Sequence, residues 1–146
     1  MDTLGLEPPP EEGGWYREVY RAAESIPTDG LLQRFDGPST FATSIYYLLP
    51  GDEVSAFHRV RQDETWHFCE GSPLTLHTLG AAGTYAQLHL GRAVPDQQFQ
   101  ITIPGGTFFA ATVDDPAAFA PVGCTVAPGF EFADFEAPSR AAPLAQ

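Results

Sequence analysis

Lysine is missing from this 146-residue chain: all seven basic side chains are arginine. Schiff-base chemistry, pyridoxal phosphate attachment and a phosphate-loop lysine are thereby excluded, because each needs a primary amine on a flexible stem. Positive charge of any kind is scarce. The seven arginines stand against 19 acidic residues, a formal net charge of -12 at pH 7, which repels a phosphate backbone and an anionic bilayer surface; neither nucleic acid nor membrane is expected as a partner. Long apolar runs are missing as well, and none approaches the roughly 20 residues of a membrane span. The opening Met1 to Glu7 lacks the basic patch and apolar run of a secretory signal, so the cytoplasm is the expected compartment. Cysteine is limited to Cys69 and Cys124. Each falls in an expected strand, which is the pattern of reduced, buried thiols.

What is present is apolar and aromatic residues in short runs, punctuated by glycine and proline. The length suits one domain that buries about two thirds of its unfolded surface. Residues 1–12, with Pro8, Pro9 and Pro10 among glutamates, read as an extended lead-in. A single domain is expected over 13–136 and a flexible tail over 137–146. Trp15 to Arg21 alternates as a strand, with Trp15, Arg17, Val19 and Arg21 on one side and Tyr16, Glu18 and Tyr20 on the other. Residues 26–39 read as a loop with a short strand around Leu31 to Phe35. Thr43 to Leu49 is a strand rich in aromatic and branched residues, ended by Pro50-Gly51. Pro73 to Leu79 and Thr84 to Leu90 form a hairpin about Gly80-Ala81-Ala82-Gly83. Phe99, Ile101 and Ile103 mark the buried side of a further strand. Thr107 to Val113 and Phe119 to Val126 supply two more, and Phe130 to Phe135 reads as a short irregular or helical cap. Strands at this spacing with no long helix predict an all-β antiparallel sandwich or barrel.

The chemistry concentrates between Gly51 and Gly71. Period-two alternation puts Ala56, His58 and Val60 on one face and Glu64, Trp66 and Phe68 on another, with Arg61, Gln62 and Asp63 as the polar connection. If the two strands are neighbours, an imidazole and a carboxylate enter one aromatic pocket. A structural alternative stands beside this: His58 as a core histidine bonded to a backbone carbonyl, and Glu64 as half of a buried pair. Tyr46, Trp66, Phe99 and Phe109 are candidate pocket walls, and core packing accounts for them too. Arg17 and Arg59 are the candidate cations for an anionic ligand. His67 falls on the face opposite Glu64, and nothing near His77 or His89 recommends them.

These residues resemble a family. Gly51, His58, Glu64 and Gly71 are similar in spacing to the first motif of the cupins, Gly, a spacer, His-x-His, a short spacer, Glu, six residues and Gly, with one extra residue after the glycine. Pro104-Gly105-Gly106 resembles the start of the second motif, Pro-x-Gly followed by a His. Val60 stands where the second His is expected, and Phe109 where the last one is. More specifically, Glu12 to Glu18, Ile45 to Leu49, His58 to Phe68 and Val122 to Phe130 resemble the Cupin_5 (DUF985) group. That group has His-Pro-Glu before its two glycines, where this chain has Pro9-Pro10-Glu11-Glu12, so any role of that His is lost. The resemblance implies a double-stranded β-helix, the cupin jelly-roll barrel, with little helix; a homodimer; and a likeness in fold to sugar-nucleotide epimerases.

One imidazole and one carboxylate are too few donors to hold a divalent ion tightly, so neither metal nor cofactor is expected. The first functional expectation is a metal-free cupin binding a small polar molecule, a sugar or sugar nucleotide. In its catalytic form His58 is general base, Glu64 orients it and Tyr46 is the acid of an epimerase or isomerase; Trp66, Phe99, Phe109, Arg17 and Arg59 would bind the ligand. Two alternatives remain: a metal-dependent cupin enzyme, oxygenase or isomerase, whose shell is completed by water or unexpected side chains, and a non-catalytic binding or storage-like module.

Overall fold

The computed structural model describes residues 4–8, 13–92 and 94–138. Among them the chain forms β1 (Trp15–Arg21), β2 (Ser25–Ile26), β3 (Ser39–Thr40), β4 (Thr43–Pro50), β5 (Val54–His58), β6 (Asp63–Phe68), β7 (Leu74–Leu79), β8 (Tyr85–Leu90), β9 (Gln100–Ile103), β10 (Phe108–Val113) and β11 (Phe119–Ala127). Short 3-10 turns occupy Thr28–Gly30 and Phe132–Asp134. A five-stranded sheet runs β1-β4-β11-β6-β9 and a four-stranded sheet β5-β10-β7-β8, with antiparallel pairing within both. No helix among the described residues is long and apolar enough to cross a membrane.

Alternation fills the space between the sheets. Tyr47 and Leu49 of β4, Trp66 of β6, Ile101 and Ile103 of β9 and Ala120, Val122 and Cys124 of β11 meet Leu74, Leu76, Phe109, Ala111 and Val113 of the other sheet in one core. Burying each larger side chain contributes up to about 1.5–3 kcal/mol relative to leaving it in water. The Tyr47 hydroxyl donates to the Gly13 carbonyl. At Gly14, with φ +87°, a Cβ would lie 2.6 Å from that hydroxyl, so the entry to β1 needs glycine.

Two β-bulges set which side chains face inward. In β1, Glu18 pairs with Ile45 but Tyr20 with Ser44, leaving Val19 as the extra residue. Arg21 is thereby opposite inward-facing Thr43 and shares the inner face with Tyr16 and Glu18, whereas a strict period of two puts it on the other side. In β5, His58 pairs with Phe109 and Ser55 with Ala111, three residues against two, so Ser55 and His58 are both buried and Ala56 is exposed. The expected face of Ala56, His58 and Val60 therefore holds for the last two alone.

Other expectations change too. Leu31 to Phe35 is a turn closed by the Phe35 amide on the Leu32 carbonyl, 3.0 Å, not a strand. The strands carrying His58 and Glu64 are not neighbours: β5 pairs with β10, and β6 with β11 and β9. Gln62, read as part of a polar connection, is fully buried. Cys124 is buried, but Cys69 lies one residue past β6 and is exposed. In the lead-in, Glu7 and Tyr16 exchange backbone hydrogen bonds of 2.9 and 2.8 Å; residues 9–12, and 139–146 of the expected tail, lie outside the described residues.

Candidate functional site

At one end of the inter-sheet space the core gives way to a cavity of about 380 Å3. β1 contributes Tyr16, Glu18 and Arg21; β4, Thr43 and Ile45; β6, Glu64; β11, Cys124 and Val126; and His58 and Val60 come from the end of β5 and beyond it. The two sheets thus bring His58 and Glu64 to one space from opposite sides, which replaces the expected side-by-side pairing. Phe130, Phe132 and Phe135, from the segment after β11, complete the wall.

That segment is a strap tied at several points. The Gly129 amide donates to the Thr40 carbonyl, 2.8 Å, and the Gly129 carbonyl accepts from Ser39 Oγ, 2.7 Å, and Gln62 Nε2, 2.9 Å. The Phe130 amide donates to Thr43 Oγ1, 2.9 Å. Gln62 Nε2 also donates to Asp134 Oδ2, 2.7 Å. Arg59 and Glu136 exchange backbone hydrogen bonds of 2.9 Å and form an ion pair of 2.8 Å. At the mouth, Arg21 donates to Glu18 and, at 2.8 Å, to Glu131 Oε1, while its Nη2 reaches the Phe130 carbonyl, 2.9 Å. The bond to Glu18 raises the Arg21 pKa above its ordinary value against the opposing effect of burial, and Glu131 adds to it.

His58 is 4% exposed. Its Nδ1 lies 2.7 Å from the Ala56 carbonyl, an acceptor, so Nδ1 carries hydrogen and the lone pair of the neutral ring belongs to Nε2. Phe109 lies against the ring at 4.5 Å between centroids, and Phe135 of the strap stacks on it at 5.3 Å, 19° from parallel. The imidazole is thus fixed in tautomer and plane, as a positioned base or hydrogen-bond acceptor requires.

The other expected site residues lie elsewhere. Tyr46 is on the outer face of β4, 44% exposed, opposite Arg17 and Gly123; Tyr47 turns inward instead. Trp66 is in the core, edge-on to Tyr47 and Phe109, with an indole N–H that has no partner among the described residues. Phe109 is buried behind His58 and does not line the cavity. Phe99 precedes β9 and is 55% exposed. Arg17 donates to the Leu4 carbonyl, 3.1 Å, outside the cavity. Arg59 pairs with Glu136 and lies over the Phe108 ring. Tyr16, Glu18, Arg21 and the strap phenylalanines are the cavity residues that sequence reasoning missed. The signal for Arg21 is a bulge, which period-two reading does not register.

The donor set does not fit a resident divalent ion. Val60 and Phe109 present carbon where the cupin motifs place imidazoles, and no group of three or more His, Cys, Asp or Glu among the described residues could hold one.

A sequence profile described as Cupin_5, Cupin superfamily (DUF985), matches residues 1–137. The X-ray structure of a Shewanella oneidensis protein superposes with a TM-score of 0.84 at 34% identity, covering 96% of this chain and 82% of that one. A hypothetical protein from Leishmania major gives 0.83 at 32% identity, covering 96% and 85%. Oxalate decarboxylase from Bacillus subtilis gives 0.60 at 13% identity, covering 90% of this chain and 29% of that one, a likeness of fold alone. No curated protein matches the sequence.

Proposed function

The chain belongs to the Cupin_5 (DUF985) group of the cupin superfamily, and from that premise we propose that it binds a small polar molecule between its sheets and moves a proton on it in an isomerase-type step. The observation that carries this reading is the arrival of His58 and Glu64, from opposite sheets, at one cavity of about 380 Å3. That volume lies toward the small end of ligand sites, roughly 300–1,000 Å3, and suits a monosaccharide-sized molecule.

In this mechanism His58 Nε2 takes a proton from the carbon next to a carbonyl. The C–H electron pair moves into the carbonyl to give an enol or enolate, and the same proton, or one exchanged with water, returns to the other face or the neighbouring carbon. Glu64 reaches the same cavity from the facing sheet and is the carboxylate that shares it with the ring. Tyr16, a phenol that lines the cavity, takes the acid role expected of Tyr46. The Ala56 carbonyl holds the Nδ1 hydrogen throughout.

Small metabolites incubated with the protein in deuterium oxide and compared by mass spectrometry test this. Wild type is expected to load deuterium at one carbon of one compound, and His58→Gln is expected to abolish loading while leaving the compound bound. Binding without loading by wild type would leave the non-catalytic reading, which the commitment of His58 Nδ1 to the backbone also fits.

The protein acts, on this proposal, as a homodimer. Tyr20 and Tyr46, 55% and 44% exposed on the outer face of β1 and β4, are the apolar surface it would cover. Light scattering is expected to give twice the 15.8 kDa chain mass; the single-chain mass overturns it.

A further inference from the structure

The cavity's charges say what it will accept. We infer that its ligand is a compact organic cation, an amine or quaternary ammonium on a small frame, and not a phosphate or carboxylate anion. The inference rests on the reading of this cavity as a ligand site and goes further in naming the chemical class.

Glu18 and Glu64 line the cavity and Glu131 is bonded to the Arg21 that lines it, three carboxylates against the single guanidinium of Arg21. Charging His58 does not turn that balance positive. Nor is Arg21 available to an anion: Nε and Nη2 donate to Glu18, Nη1 to Glu131 and Nη2 again to the Phe130 carbonyl. A phosphate would have to displace two carboxylates and then remain among them, at a desolvation cost with no compensating pair. The other arginines among the described residues do not line the cavity. Arg17 and Arg34 donate to backbone carbonyls, Arg59 and Arg61 pair with Glu136 and Asp36, and Arg92 lies by Phe68.

The walls add to this. Tyr16, Phe130, Phe132 and Phe135 bring four rings to the same space. Aromatic faces carry negative potential and hold ammonium groups, most strongly where water is excluded. Carboxylates beside aromatic rings therefore favour a cationic head, and the apolar strap accommodates its carbon frame. The sugar-nucleotide form of the sequence expectation needs an unengaged cation for its diphosphate, and the cavity does not supply one.

Titration calorimetry of the full chain with three probes of one shape tests this: benzyltrimethylammonium, benzyl alcohol and benzoate. The cation is expected to bind about tenfold more tightly than the alcohol, and benzoate more weakly than either. Glu64→Gln and, as a second variant, Glu18→Gln are each expected to reduce the cation's advantage severalfold while leaving the alcohol's affinity in place. Equal or tighter binding of benzoate or the alcohol overturns the charge class but leaves the ligand site standing. Cation binding unaffected by both variants also overturns it, since the acidic surface alone would then account for the preference. If none of the three binds, both the charge class and the site fall.

Discussion

Arg21 and Glu131 are 110 residues apart in the chain, and Nη1 of the one donates to Oε1 of the other across 2.8 Å. The contact joins β1 to the strap over the cavity. Both side chains are about two-fifths exposed, so Arg21→Gln is expected to lower global stability by less than about 1 kcal/mol. Its local effect is larger: hydrogen exchange at the amides of Phe130 to Phe135 is expected to speed up while the core strands keep their protection. Unchanged exchange in the strap would show that its other ties, at Gly129, Phe130, Asp134 and Glu136, hold it without this pair.

Gly129 is where the strap passes closest to the sheet. A Cβ there would lie 2.1 Å from Thr40 Cγ2 and 3.2 Å from the Thr40 carbonyl. Gly129→Ala is expected to cost about 1–3 kcal/mol in urea denaturation. Thr40→Ser deletes the offending methyl but keeps the hydroxyl that donates to Ala22 and Glu24. The double variant is expected to recover part of the loss, read as a coupling energy in a double-mutant cycle.

The two thiols should behave differently. Cys69 is exposed and Cys124 is buried. An aromatic disulfide reagent is expected to titrate one thiol in the native protein and two after unfolding. Because Cys124 lines the cavity, a strap loosened by Arg21→Gln is expected to expose it to slow reaction. Two fast native thiols would contradict the closed wall.

His77 gives a pH signature remote from the cavity. Burial lowers its pKa, against the attraction of Asp114 and with a smaller push from His89. Its ring nitrogens meet Tyr85 Oη at 2.5 Å and Thr112 Oγ1 at 2.8 Å. The folded state favours the neutral ring, so this stabilisation is complete above the ordinary histidine pKa. It declines as pH falls through that value and the unfolded chain takes up the proton first, until the folded ring protonates as well. The denaturation midpoint of wild type is expected to fall more steeply from about pH 7.5 to about pH 5.5 than that of His77→Gln. Parallel slopes would remove His77 from the account.

Much of the fold was legible in the sequence because period-two alternation and turn residues act locally. The hairpin about Gly80 to Gly83, the strand Thr43 to Leu49 and the turn at Pro104-Gly105-Gly106 needed nothing else. The cavity was legible in His58 and Glu64 and obscured in Arg21. A bulge is a property of two paired strands, and the partner of β1 does not follow from β1. Tyr46 and Tyr47 show a different limit: in Ile45-Tyr46-Tyr47-Leu48-Leu49 no polar residue marks the outer face, so the inward tyrosine is set by pairing with β1 and β11. Gln62 reads as a loop amide, and only the return of the strap from residue 129 gives its buried Nε2 acceptors.

The surplus residue at Val19 means that a change of chain length, more than any exchange of side chains, would rewrite what this chamber holds. Were Val19 paired in regular alternation instead of bulged, Arg21 would lie on the exterior face and leave Glu18 and Glu131 without their shared counterion. A relative identical in β1 but with one more residue between Ser44 and Ile45, to pair with Val19, would therefore present guests with the same carboxylates and no guanidinium.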